Sequence, residues 1–190
     1  EQYQEINRKL DEELSYELPF PEKTVNELGS RLLQLRRAIP ENGRIAYQLL
    51  PPEVKTQVDE MVEDMIRHFP TVRESVEIYC EAKKRQAALY STDPAYLDQK
   101  AGVYEKEAKK VLANRILSGV RMVIRLEGEM RTEQYIHDRK AIYAEQIILE
   151  SLDILAGVAD CEDNIDDGRK AGAFQLSKEA RKEWYLKNQD

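Results

Sequence analysis

The chain has 190 residues, 36 of them acidic and 29 basic, and a formal net charge of −7. This length supports one domain with a hydrophobic core, with or without tails. A charged fraction of 34% with only eight glycines favours a helix-rich protein, and the acidic balance argues against a protein dedicated to nucleic-acid binding.

Three helices are predicted in the N-terminal part of the chain. Residues 1–18 place apolar side chains three and four positions apart, and residues 24–38 repeat that spacing before a Pro-Glu-Asn-Gly turn. A Pro-Pro pair opens a third helix over residues 51–69, because proline is tolerated in the first helical turn. The positions predicted to face the core in the second and third helices are Val25, Leu28, Leu32, Leu35, Val54, Val58, Met61, Val62, Met65 and Phe69.

Two further helices are predicted on either side of a Ser-Thr-Asp-Pro sequence. The first covers residues 71–90, with Val72, Val76, Tyr79, Ala87 and Tyr90 facing inward. In the second, Thr92 or Asp93 can cap the helix while Pro94 occupies its first turn. This second helix is predicted to be the longest, from Pro94 to about Leu126, with Gly128 ending it.

A sixth helix is predicted from about Thr132 to Ala156. It is apolar on more than one side towards its end, so it is expected at the centre of the bundle. We therefore predict a helical domain over residues 1–157, an acidic linker or loop over 158–175 and a short C-terminal helix over 176–190. The expected fold class is all-α, an irregular bundle of five to seven helices with one long amphipathic helix.

The cysteines and the hydropathy pattern indicate a cytoplasmic protein. Cys80 and Cys161 lack a CxxC partner or a histidine at zinc spacing, so both are expected to be free thiols in a reducing compartment. Lys83 and Lys84, one turn from Cys80, would lower the pKa of its thiol. No signal peptide is recognisable, and no apolar run approaches the ~18–20 residues of a membrane span. Because the chain begins at Glu1 with a helical pattern already under way, we expect it to be a piece of a longer protein.

Charge is distributed unevenly along the sequence. The stretch from Lys83 to Arg125 contains ten basic and four acidic residues, a net charge of +6, whereas residues 145–167 contain eight acidic residues and no lysine or arginine. At about 100° per residue, the basic side chains of the long helix fall within about half of the cylinder. Its other half carries the apolar positions Ala101, Ala108, Leu112, Ile116 and Val123.

Three interpretations of this basic face remain open. The first is a surface that contacts DNA phosphates, and the second is an ordinary solvated helix face. The third is a surface that docks on the acidic segment of the same or another copy. The stretch is not expected to expose aromatic rings suited to base stacking. The candidate DNA-binding residues are Arg44, Lys83, Lys84, Arg85, Lys100, Lys106, Lys109, Lys110, Arg121 and Arg125.

The usual catalytic and metal-binding patterns are not found. His68 and His137 are isolated, so each is expected at the surface rather than on a metal. The acidic segment before Gly168 fails as a calcium-binding loop because Ile165 and Phe174 occupy ligand positions. Phosphate-binding, dinucleotide-binding, serine-hydrolase and zinc-protease motifs are missing. We therefore predict no catalytic residue, no metal and no cofactor, so this chain is not expected to be an enzyme by itself.

Residues 43–66, GRIAYQLLPPEVKTQVDEMVEDMI, and residues 79–91, YCEAKKRQAALYS, resemble part of the MobL family of conjugative relaxases, proteins of Gram-positive mobile elements. The resemblance spans roughly residues 40–125. The residues that carry it are Pro40, Gly43, Arg44, Tyr47, Lys55, Asp59, Tyr79, Lys83, Tyr90 and the sequence Asn114-Arg-Ile-Leu117.

Relaxases of this kind nick one DNA strand with a tyrosine nucleophile and a divalent metal held by a histidine cluster. This chain lacks that cluster, and Tyr47 and Tyr90 are interpreted as helix-packing residues. The resemblance therefore implies a non-catalytic helical region C-terminal to the nuclease domain. Such a region would position transfer-origin DNA or recruit proteins of the transfer machinery. The alternative is a helical protein–protein interaction or dimerisation domain with no role in nucleic-acid binding.

Overall fold

A computed structural model describes residues 20–40 and 44–162, with side chains as far as residue 155. Within these residues the chain forms six α-helices, one 3-10 turn and no strand, which confirms the predicted all-α bundle. The predicted helices over 1–18 and 176–190 lie outside the described residues. The elements are α1 (Glu22–Ala38), the 3-10 turn (Tyr47–Leu49), α2 (Pro52–His68), α3 (Pro70–Ala88), α4 (Pro94–Gly128), α5 (Glu133–Asp138) and α6 (Lys140–Glu162).

Proline and capping residues fix where the helices begin. α2, α3 and α4 each have a proline in the first turn, where its missing N–H costs no helical hydrogen bond. The Asp93 carboxylate caps α4 by accepting a hydrogen bond of 3.1 Å from the backbone N–H of Ala95. α4 ends at Gly128 after 35 residues, so the predicted long helix is confirmed.

α6 lies at the centre of the bundle, as predicted, and packs against α1, α3 and α4. Its buried apolar side chains include Ile147, Ile148, Leu149 and Leu152. All the predicted core positions of α1 and α2 are buried with them. No helix in the described part of the chain is long and apolar enough to cross a membrane.

The single helix predicted over residues 132–156 is wrong, because the chain turns at Arg139 between α5 and α6. The apolar spacing continues across this turn, so the sequence pattern does not indicate the break. The turn places the backbone of Lys140 against Gly29 of α1. A Cβ atom on Gly29 would lie 2.5 Å from the Lys140 carbonyl oxygen, so only glycine permits this approach.

Tyr90 and the end of α6 also differ from the sequence prediction. Tyr90 is 81% exposed rather than inward, because α3 ends at Ala88 and Tyr90 belongs to the turn before α4. α6 extends to Glu162, so the first residues of the predicted linker are helical, and residues 163–175 lie outside the described part. The other four inward positions predicted for α3 are buried.

Candidate nucleic-acid interface

α4 presents one continuous stripe of exposed side chains, about 38 Å long at 1.5 Å per residue. The exposed positions, within about 40° of one another, are Tyr96, Val103, Lys110, Asn114 and Arg121. The buried positions on the opposite side include Ala108, Leu112, Ile116 and Val123. The predicted amphipathic character of this helix is therefore confirmed.

The segment that contains the 3-10 turn packs beside this stripe. The Arg121 guanidinium donates a hydrogen bond to the Ile45 backbone carbonyl, which ties the segment to α4. Arg44, the next residue towards the N-terminus, is exposed. The backbone at Arg44 is therefore tied to α4 one residue away, through the Ile45 carbonyl, although Arg44 and Arg121 are 77 positions apart in the chain.

Tyr47, in the 3-10 turn, is fixed by two residues of α2. Its hydroxyl lies 2.8 and 3.0 Å from the two carboxylate oxygens of Asp59 and donates to that group. This hydrogen bond raises the pKa of Tyr47 above its ordinary value, and burial adds to the effect. The Lys55 ammonium lies 5.8 Å from the centre of the Tyr47 ring. Tyr47, Lys55 and Asp59 all belong to the residues that carry the family resemblance.

An open pocket of about 570 Å³ lies between the 3-10 turn, α2 and α4. Its lining combines the apolar side chains of Val62 and Ala113 with the carboxylates of Asp59 and Glu63 and with three lysines of α4. Lys109 is the most enclosed of the three. Its ammonium lies 2.7 Å from Glu63 and 3.2 Å from Glu105, and the hydrogen bond to Glu63 raises its pKa. Lys109 is therefore engaged inside the protein, and the prediction that it faces DNA is not supported by its contacts.

Two other cations of the basic stretch have acidic partners. The Arg125 guanidinium lies 3.8 Å from Glu129, and that of Arg115 lies 3.8 Å from Glu150 in α6. Arg115 also has a buried Nε without a hydrogen-bond partner in the protein. These pairs reduce the positive potential at the C-terminal half of α4.

Lys106 and Lys110 are exposed, and neither takes part in an ion pair within the described residues. They lie one helical turn apart, a separation of about 6 Å along α4. Arg121 contacts a neutral carbonyl, so its charge is not compensated by a carboxylate there. We call Arg44, Lys106, Lys110 and Arg121 the basic strip. It is the part of the predicted site that the fold brings together.

The remaining predicted residues lie at the hairpin tip, which we define as residues 83–100, where α3 turns into α4. Lys84 and Arg85 are exposed on α3, whereas Lys83 is half-buried, with its ammonium 5.8 Å from the ring centre of Tyr79 in the same helix. On α4, the Lys100 ammonium lies 5.7 Å from the ring centre of Tyr96.

Exposed aromatic rings accompany these cations, contrary to the sequence prediction. Tyr90 is 81% and Tyr96 38% exposed. The helix-start signal at Asp93 and Pro94 was the available clue, because a tyrosine just before such a signal belongs to a turn. The expectation that aromatics do not reinforce the basic stretch is therefore wrong.

The described residues contain few groups suited to catalysis. Burial raises the pKa of the Cys80 thiol, and this effect exceeds the opposite influence of Lys84, so the predicted lowering is wrong. His68 and His137 are exposed. Among the described residues, no three His, Cys, Asp or Glu side chains are placed to hold a metal ion.

No protein-family model matches the chain, and no curated protein or solved structure is significantly similar to it.

Proposed function

We propose that this chain is a non-catalytic accessory module of a conjugative relaxase, and that it positions transfer-origin DNA in the cytoplasm through the basic strip. The observation that carries the proposal is the exposed pair Lys106 and Lys110, neither of which has an ion-pair partner among the described residues, with Lys110 on one stripe of α4 with Arg121. In a chain of net charge −7, a local group of uncompensated cations attracts the DNA backbone selectively to one surface.

The relaxase attribution rests on the sequence resemblance. It is supported by the meeting of Tyr47, Lys55 and Asp59, which belong to that resemblance and together hold the 3-10 turn beside α4. In this proposal the turn has a positioning role. It fixes the backbone to which Arg121 is bonded, and Arg44 is the residue just before that backbone carbonyl.

The basic strip acts by neutralising phosphates, which releases condensed counterions. Each phosphate contact contributes about −0.9 to the slope of log affinity against log salt, so four cations predict a slope of about −3 to −4. Contacts of this kind carry no base specificity. We therefore expect micromolar affinity that falls steeply with salt and depends little on sequence.

Fluorescence-anisotropy titration with a DNA duplex at two salt concentrations tests the proposal. The double substitution Lys106→Glu/Lys110→Glu should reduce the affinity at least ~10-fold, because two attractive contacts become repulsive. The matched control, Lys23→Glu/Arg73→Glu, makes the same charge change at exposed positions outside the strip and should retain most of the affinity. Equal losses in both variants, or no binding by the wild type at low salt, would refute the proposal.

A helical interaction or dimerisation domain is the second candidate. It is favoured by the ion pairs of Lys109, Arg115 and Arg125, which occupy cations that a dedicated DNA-binding surface would leave open. Light scattering distinguishes the candidates. A stable dimer that binds no DNA at low salt would replace the DNA-positioning function with this one.

A further inference from the structure

The hairpin tip exposes large apolar side chains, while most of the large apolar residues in the described part of the chain are buried. Leu89 is 82% exposed, and Tyr90 and Tyr96 are exposed beside it in the sequence. By contrast, Phe69 and Tyr143 lie in the core. Tyr90 lies in the turn and Tyr96 in the first helical turn of α4, and neighbouring exposed apolar side chains are typical of a binding surface.

The backbone that carries these rings is fixed by local hydrogen bonds. The N–H groups of Tyr90 and Ser91 donate to the Ala87 carbonyl at 3.1 and 3.2 Å. The Asp93 N–H donates to the Ser91 hydroxyl at 3.2 Å, and the Asp93 carboxylate caps α4. Tyr90 therefore projects from an ordered turn and Tyr96 from the start of α4, so little backbone entropy is lost when a ligand binds them.

The charges beside the rings are mainly positive. The Lys100 ammonium lies 5.7 Å from the centre of the Tyr96 ring, whereas Lys84 lines a pocket with Glu81 and Glu105 on another face of α4. Asp98 is about 200° around α4 from Tyr96, so it faces away from the ring. The Asp93 carboxylate is engaged by the helix N-terminus. A tyrosine ring beside a lysine suits a ligand that combines flat bases with phosphates.

We infer that the hairpin tip binds single-stranded nucleic acid, with bases stacking on Tyr90 and Tyr96 and a phosphate contacting Lys100. A duplex hides the faces of its bases, whereas a single strand offers them to aromatic side chains. Tyr96 lies on the same side of α4 as Lys110, about 21 Å away along the helix with the exposed Val103 and Glu107 between them, so one strand is long enough to reach both the rings and the basic strip. The inference rests on the proposed DNA-positioning function and gives it a substrate class.

The test compares three probes of equal length in anisotropy titrations: an oligothymidylate of about 12 nucleotides, the corresponding abasic strand and a duplex. Stacking contributes ~1–3 kcal/mol per base, which is about 5- to 150-fold in affinity. The Tyr90→Ala/Tyr96→Ala variant should therefore bind oligothymidylate at least ~10-fold more weakly and bind the duplex as the wild type does. The wild type should bind the abasic strand about as weakly as this variant binds oligothymidylate.

Two control variants separate stacking from other roles of the tip. Tyr90→Phe/Tyr96→Phe retains both rings and should retain the affinity for oligothymidylate. Leu89→Ala removes an exposed apolar side chain from the same turn and should leave DNA binding unchanged. Circular dichroism should show unchanged helicity in all of these variants, since the substituted side chains lie largely outside the core.

The outcomes distinguish this inference from the proposed function. Equal affinity for oligothymidylate and the abasic strand, or equal losses on the single strand and the duplex, would overturn the stacking role. If Lys106→Glu/Lys110→Glu still abolishes duplex binding in that case, the proposed function remains supported without the stacking role. Self-association of the wild type that Leu89→Ala abolishes, without single-strand binding, would make the tip a protein contact and overturn the inference. No binding to any probe at low salt would refute both.

Discussion

The close approach of α1 and α6 makes Gly29→Ala a sharp test of the packing. In an open helix this substitution would stabilise the protein by about 1 kcal/mol, because alanine has the higher helix propensity. Here the new Cβ would lie 2.5 Å from the Lys140 carbonyl oxygen and 2.7 Å from its carbonyl carbon. Cβ atoms in proteins essentially never approach other atoms within 3.0 Å, so the start of α6 would have to move by about 0.5 Å.

Backbone atoms cannot rotate out of the way as a side chain does, so the displacement propagates into the core. Overpacking of this kind costs ~1–3 kcal/mol or more, which exceeds the gain in helix propensity. We therefore expect Gly29→Ala to lower the free energy of unfolding by about 1–2 kcal/mol and the Tm by roughly 2–8 °C.

Gly102→Ala is the matched control, because Gly102 is also helical but a Cβ there would meet no atom within 4 Å. It should raise the free energy of unfolding by up to about 1 kcal/mol. Urea unfolding followed by circular dichroism measures both variants against the wild type. If Gly29→Ala proves as stable as Gly102→Ala, the contact between α1 and Lys140 is not as tight as described, and the reasoning fails.

Three further predictions concern stability. Ser75→Ala should stabilise the protein by about 0.5–1 kcal/mol in urea unfolding, because the buried Ser75 hydroxyl has no hydrogen-bond partner in the protein. Ser151→Ala should stabilise it less, because the Ser151 hydroxyl donates to a backbone carbonyl at 2.6 Å. Met130 has φ of 63°, so Met130→Gly should raise the Tm by relieving ~1 kcal/mol of left-handed strain, and a lower Tm would contradict this reasoning. Because the folded state raises the pKa of the Tyr47 hydroxyl, the unfolded chain loses that proton first, so stability is lost as the pH rises above 10. Tyr47→Phe and Asp59→Asn should both make this loss of stability less steep. Stability–pH profiles of the variants identical to that of the wild type would exclude the contribution.

The sequence by itself indicated the candidate cations but not which of them bind other groups of the protein. Lys106 and Lys109 look equivalent in the sequence, yet Lys109 is held by Glu63, which lies 46 positions earlier in the chain. The link between Arg121 and Ile45 joins positions 76 apart. Contacts across such separations depend on how α2 and α4 pack, and helical periodicity within one element contains no information about them.

The sequence determined the features that depend on a few neighbouring residues. Asp93 and Pro94 set the start of α4, and apolar side chains at helical spacing marked the buried face of each helix, because capping and amphipathicity are local properties. Only the tertiary structure decided where the chain turns at Arg139, since the backbone of Lys140 packs against Gly29 more than 100 residues away. It also decided that Tyr90 lies in an exposed turn, because burial depends on which elements surround a side chain rather than on its place in a repeating pattern.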